Sequence, residues 1–129
     1  MGATSIYNKS GELLNPSEKE KAEINWLIEK GNSYQLEHKA HEIIKSNNTK
    51  LLSSENIDVA KSLLEAAIVR ATNESYKAIL HRKMGEIAEI QGSQIEALKQ
   101  YSIAVEYDPK VGCKRSFDRI KKALKRKDT

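Results

Sequence analysis

The sequence predicts an all-α protein built from stacked antiparallel helical hairpins. Three observations predict it. Apolar residues recur at spacings of three and four, the period of one helix face, through most of the chain. Helix-start and helix-stop signals divide those stripes into about six stretches joined by short turns. Short turns make successive helices antiparallel neighbours. No stretch alternates apolar and polar residues as a half-buried strand would. With 2 Pro and 6 Gly in 129 residues, turn residues are also too few for an all-β chain.

Residues 1–15 carry little periodicity and read as a flexible leader, with one helical domain over 16–129. Asn15, Pro16 and Glu18 are a helix start: a side-chain cap, a ring that fits the first helical position, and a carboxylate that reaches back. Ile24, Leu27 and Ile28 form the stripe, and Gly31-Asn32 stops it. A second helix opens near Ser33 with Leu36, Ala40 and Ile43 on one face, then meets the poor helix formers Ser46 to Thr49. Leu51 and Leu52 beyond that break are candidates for the core. The third opens near Ser54-Glu55. It is apolar on two sides, Ile57, Ala60, Leu64, Ala67, Ile68 and Ala71 on one and Val59, Leu63 and Ala66 on the other, as a helix between two neighbours is. Asn73-Glu74-Ser75 starts a fourth, whose apolar residues are Tyr76, Ile79, Leu80, Met84, Ile87 and Ile90. Gln91-Gly92 ends it, and Ser93 with Glu96 reads as a capping box for a fifth. That helix buries Ala97, Leu98, Tyr101, Ala104 and Val105. Asp108-Pro109 closes it and opens a sixth, striped by Cys113, Phe117, Ile120 and Leu124.

Composition excludes several classes. A hydrophobic share of 39% is enough for a helical core and too high for a disordered chain. One cysteine excludes a disulfide framework and a Cys-based zinc cluster. No run approaches the length of a membrane span, and residues 1–11 lack the basic-then-apolar order of a secretory signal. The expectation is a cytoplasmic protein away from the membrane.

Residues 78–111 form a 34-residue unit carrying Met84-Gly85, Ala88, Gly92, Ala97, Tyr101, Ala104 and Pro109. In these positions the segment resembles a tetratricopeptide repeat, a helix–turn–helix with small residues at fixed places. Gly85 and Ala88 would let the two helices approach. Ala97 and Ala104 are small at the crossing, Tyr101 fills the gap, and Gly92 makes the turn. His81 and Ala88 depart from the family's bulkier residues. Ala60, Leu64 and Ala67 echo Ala97, Tyr101 and Ala104 at an offset of 37 residues, a degenerate copy. The resemblance implies a right-handed α-superhelix closed by a basic C-terminal capping helix. It implies a non-enzymatic adaptor, chaperone or regulatory subunit that holds a peptide or partner helix in a groove. Ile79, Arg82, Glu86 and Glu89 would face that groove. Glu86 stands where chaperone-tail clamps have Asn, and Cys113 and Phe117 where they have cations, so that ligand is disfavoured. Arg82 and Glu86 could equally be an i, i+4 surface pair. So few good repeats make a homodimer through the first two helices plausible.

The last twenty residues hold nine Lys or Arg and two Asp, a charge of +7, against −3 for the rest. Lys114, Arg115, Arg119, Lys122 and Arg126 are therefore candidates for nucleic-acid binding by segment 110–127. Cations at a helix C-terminus also complement the macrodipole without any partner. His38 and His41, at i, i+3, have metal-ligand spacing but no third ligand nearby. Cys113 beside Lys114 and Arg115, at a helix start, has two features that would lower its pKa, yet no base accompanies it, and its place on the apolar stripe favours a small core residue. No phosphate-cradling loop or nucleophile elbow occurs. Neither a cofactor nor a catalytic residue is expected.

Overall fold

A computed structural model describes residues 16–46 and 54–127. They form six helices: α1 Pro16–Lys30, α2 Ser33–Ser46, α3 Ser54–Arg70, α4 Glu74–Ile90, α5 Gln94–Tyr107 and α6 Lys114–Lys127. No strand occurs among the described residues. The expected leader, Asn15, Leu51 and Leu52 lie outside them.

From α2 onward each helix packs against the next in the chain, and α1 lies against α2 and α3. The helix expected to be apolar on two sides, α3, is the one enclosed by α1, α2 and α4. Two apolar cores result. The first joins α1 to α4 around Leu36, Leu63, Leu64, Leu80 and Ile87. The second joins α4 to α6 around Tyr101, Cys113 and Ile120. α4 serves both with different faces. Its large residues Leu80, Met84 and Ile87 enter the first core, and its small residues Ala78 and Ala88 enter the second.

That small face brings α4 close to α5. A Cβ built on Gly85 would lie 2.4 Å from Tyr101 Cε1 and 2.6 Å from Cδ1. Tyr101 is 1% exposed, so its ring occupies the space glycine leaves. Gly92, at φ +79°, turns the chain between them. There Gly92 N–H donates to Glu89 O at 3.0 Å and Ser93 N–H to Ala88 O at 2.9 Å. This pair of bonds closes the last carbonyls of α4 in a Schellman turn.

The turn also explains a departure from expectation. Ser93 makes no side-chain cap bond. A capping box needs a free N–H on its first residue, and that of Ser93 is already donated to Ala88. Glu96 Oε1 instead accepts from Gln100 Nε2 at 2.9 Å. A reciprocal box stands at α2: Gln35 N–H donates to Asn32 Oδ1 at 2.8 Å, and Asn32 N–H to Gln35 Oε1 at 3.0 Å. Asn73 caps α4 through Tyr76 N–H at 2.9 Å.

A second departure concerns Asp108-Pro109, which ends α5 without starting α6. Asp108 N–H still donates to Ala104 O, and Val111 N–H folds back to Asp108 O, each at 3.0 Å. Gly112 then takes φ +92°, which no helix accommodates. α6 begins only after it, with Cys113 O accepting from Phe117 N–H at 2.9 Å. Tertiary contact fixes this turn, because Arg82 Nη1 donates to Val111 O at 2.8 Å.

α1 is closed from a distance. Arg70 Nη1 donates to Leu27 O at 3.1 Å and Gly31 O at 2.7 Å, and Nη2 to Ile28 O. One planar guanidinium thus reaches several carbonyls at the helix end, among them that of Ile28.

Candidate partner-binding groove

The contacts between α2 and α4 advance in the same direction along both helices. Tyr76 Oη donates to Ser33 O at 3.4 Å, Lys83 Nζ lies 3.9 Å from a Glu37 oxygen, and Ala40, Ile44, Ile87 and Ile90 line one cleft further on. The two helices therefore run parallel. α3 covers them from behind, which leaves a cleft open on their other side. It has a volume of about 300 Å³. Ala40, Ile44, Leu64 and Ile87 give it an apolar lining, and His41, Arg82, Lys83 and Glu86 supply polar groups. Ile90, at its end, is 50% exposed.

At the other end of the same helix pair, Tyr34 stacks on Tyr76 with centroids 6.4 Å apart. Tyr34 is 71% exposed. Burial, seconded by the Glu37 carboxylate, pushes the Tyr76 phenol up to about 12, so it stays a neutral donor.

Two of the four residues expected at a groove line this cleft, Arg82 and Glu86. Arg82 does not pair with Glu86; its Nη1 holds the Val111 carbonyl, and its Nε is buried without a partner. Ile79 packs against the second core. Glu89 turns toward α5 and α6, where it accepts from Tyr101 Oη at 2.6 Å and from Arg119 Nη2. Burial pushes the Glu89 carboxyl up, but the tyrosine and arginine donors outweigh it and hold it below the usual range. Tyr101 itself is pushed up, by burial first and then by Glu89.

Sequence reasoning missed Ile44, Ile90 and His41 as groove residues. Ile90 had a readable signal: a large aliphatic at the end of an apolar stripe, beside a turn, has nothing to pack against. Ile44 and His41 had none, because their neighbours come from α4, some forty residues away in the chain.

The remaining candidates fall elsewhere. His38 and His41 are both exposed. Among the described residues no group of three or more His, Cys, Asp or Glu is placed to hold a metal ion. His81 stacks on Tyr107 with centroids 5.8 Å apart, and its Nδ1 donates to Gln100 Oε1 at 2.8 Å. Cys113 corrects the expectation of a lowered pKa. It is 2% exposed, and burial pushes its thiol up despite the Arg82 charge. Lys114, Arg115, Arg119, Lys122 and Arg126 lie on the exposed side of α6. Among the described residues no helix is long and apolar enough to cross a membrane.

No protein-family model, curated protein or solved structure matches the chain.

Proposed function

We propose that this protein is a non-catalytic adaptor that holds a partner peptide or helix in the cleft between α2 and α4. The cleft itself carries the reading. Two parallel helices leave a cleft in which half-buried Ile44 and exposed Ile90 present apolar surface over a floor of buried Ala40, Leu64 and Ile87, within a polar rim, a form that can seat one apolar side of a partner segment. The tetratricopeptide resemblance supports it. In such a stack the first helices of successive hairpins, here α2 and α4, line the concave side, and α6 closes the end. The small face of α4 against Tyr101 is consistent with that packing. The stack is short, so a homodimer through α1 and α2 belongs to the same proposal. The lone buried thiol suits a reducing compartment such as the cytoplasm.

The test is affinity capture from the source cell with three chains: wild type, Ile90→Glu and Val69→Glu. Val69, 83% exposed on α3, is outside the cleft lining. A partner retained by wild type and Val69→Glu but lost by Ile90→Glu supports the reading. A partner set unaffected by Ile90→Glu removes the cleft from the function.

A further inference from the structure

The exposed side of α6 points to a second surface, separate from the cleft. α6 buries Ile120 and half-buries Phe117 and Leu124 against the second core. Apart from half-buried Ser116 and Ala123, its remaining described side chains are exposed, and all but Asp118 are cationic. Lys114, Arg115, Lys121, Lys122 and Lys125 are exposed, and none forms an ion pair among the described residues. Lys121 lies over the Phe117 ring, 5.7 Å from its centroid. Asp118 is the single carboxylate among them. Arg119 differs, since Glu89 already neutralises it.

We propose that this ridge binds the phosphate backbone of double-stranded nucleic acid without reading its sequence. Three features select that occupant. The apolar stripe of α6 is already packed on α5, so no greasy face remains to enter a bilayer. No aromatic side chain stands on the exposed side of α6, so bases of a single strand have nothing to stack on. What remains is a rigid row of cations on a helix roughly 21 Å long, facing a polymer with one charge about every 1.7 Å of axis. Arg115 and Lys122, two helical turns apart, lie along the middle of the row, with Lys125 one turn beyond. These contacts give affinity and orientation, not sequence choice.

The test uses the full chain and a labelled duplex DNA of about 20 base pairs, read by fluorescence anisotropy. With three to four phosphates neutralised, Kd rises roughly 40- to 150-fold between 50 and 200 mM salt. The variant Arg115→Gln/Lys122→Gln/Lys125→Gln weakens binding at low salt more than tenfold and flattens the salt dependence. A charge-matched control, Lys19→Gln/Lys21→Gln/Lys99→Gln, removes three cations from α1 and α5 and leaves Kd within about twofold of wild type. Circular dichroism verifies that both variants keep their helices. Equal loss in the two variants overturns the ridge in favour of net charge alone. An unbound duplex at 50 mM salt, with the chain pelleting on phosphatidylcholine–phosphatidylserine vesicles, overturns it in favour of a membrane surface.

Discussion

Gly85→Ala is the sharpest test of how α4 and α5 fit. In an isolated helix the change stabilises, by about 0.8–1 kcal/mol, because alanine is the better helix former. Here the new methyl would sit 2.4 and 2.6 Å from two carbons of the Tyr101 ring. Carbon atoms prefer roughly 3.5–4.0 Å, so the ring or the helix must move by about 1 Å. The ring has little freedom: it is 1% exposed, and its hydroxyl is tied to Glu89 at 2.6 Å. Overpacking of this kind costs about 1–3 kcal/mol. The clash therefore cancels or outweighs the propensity, with a net loss of up to about 2 kcal/mol. Urea unfolding followed by circular dichroism should show a midpoint lowered by up to roughly 1 M. Tyr101→Leu is itself destabilising, but it removes the ring edge. On that background Gly85→Ala should be neutral or favourable, a coupling of at least about 1 kcal/mol. A Gly85→Ala protein more stable than wild type, or the same loss on both backgrounds, would refute the close approach of the two helices.

Three further outcomes are expected. Glu89→Gln should lower stability by about 1 kcal/mol near neutral pH, since it weakens the Tyr101 and Arg119 bonds. A carboxyl held low in the folded state contributes stability above its unfolded pKa and loses it as pH falls through the folded one. The gap between wild type and Glu89→Gln should therefore close on acidification; a gap constant from neutral pH down to pH 3 would contradict this. Native Cys113 should react with an aromatic disulfide reagent about 100-fold or more slowly than in urea, because the thiol is buried and becomes accessible only on opening. Fast labelling of the native protein would place it at the surface. Arg70→Ala should lower Tm by roughly 3–6 °C, with Arg70→Lys between it and wild type, because a point charge serves fewer of the α1 carbonyls. Full retention of Tm in Arg70→Ala would show that the α1 terminus needs no cap.

The helices themselves were legible because their signals are local. Leu36, Ala40 and Ile43, or Ala97, Tyr101 and Ala104, announce a buried face by spacing alone, and all six are buried. Gly85 and Tyr101 were legible as a pair through the repeat-like pattern around them. The capping box placed at Ser93 failed for a local reason of another kind: the preceding turn had already taken its N–H. The helix start placed at Pro109 failed because Gly112 could adopt a positive φ and Arg82, 29 residues away, could hold Val111.

The candidate site was half legible. Arg82 and Glu86 reach the cleft, but a helical register cannot say which face of α4 a given neighbour will take. Ile79 and Glu89 went to the side covered by α5 and α6. Spacing and capping residues, being encoded within a few positions, let the sequence alone determine an all-α chain, its helices and most of their buried stripes. Only the tertiary structure decided that α2 and α4 run side by side with a cleft between them, and that Glu89 neutralises Arg119. Those facts depend on side chains roughly thirty to forty-five residues apart meeting in space, and no local periodicity encodes such a meeting.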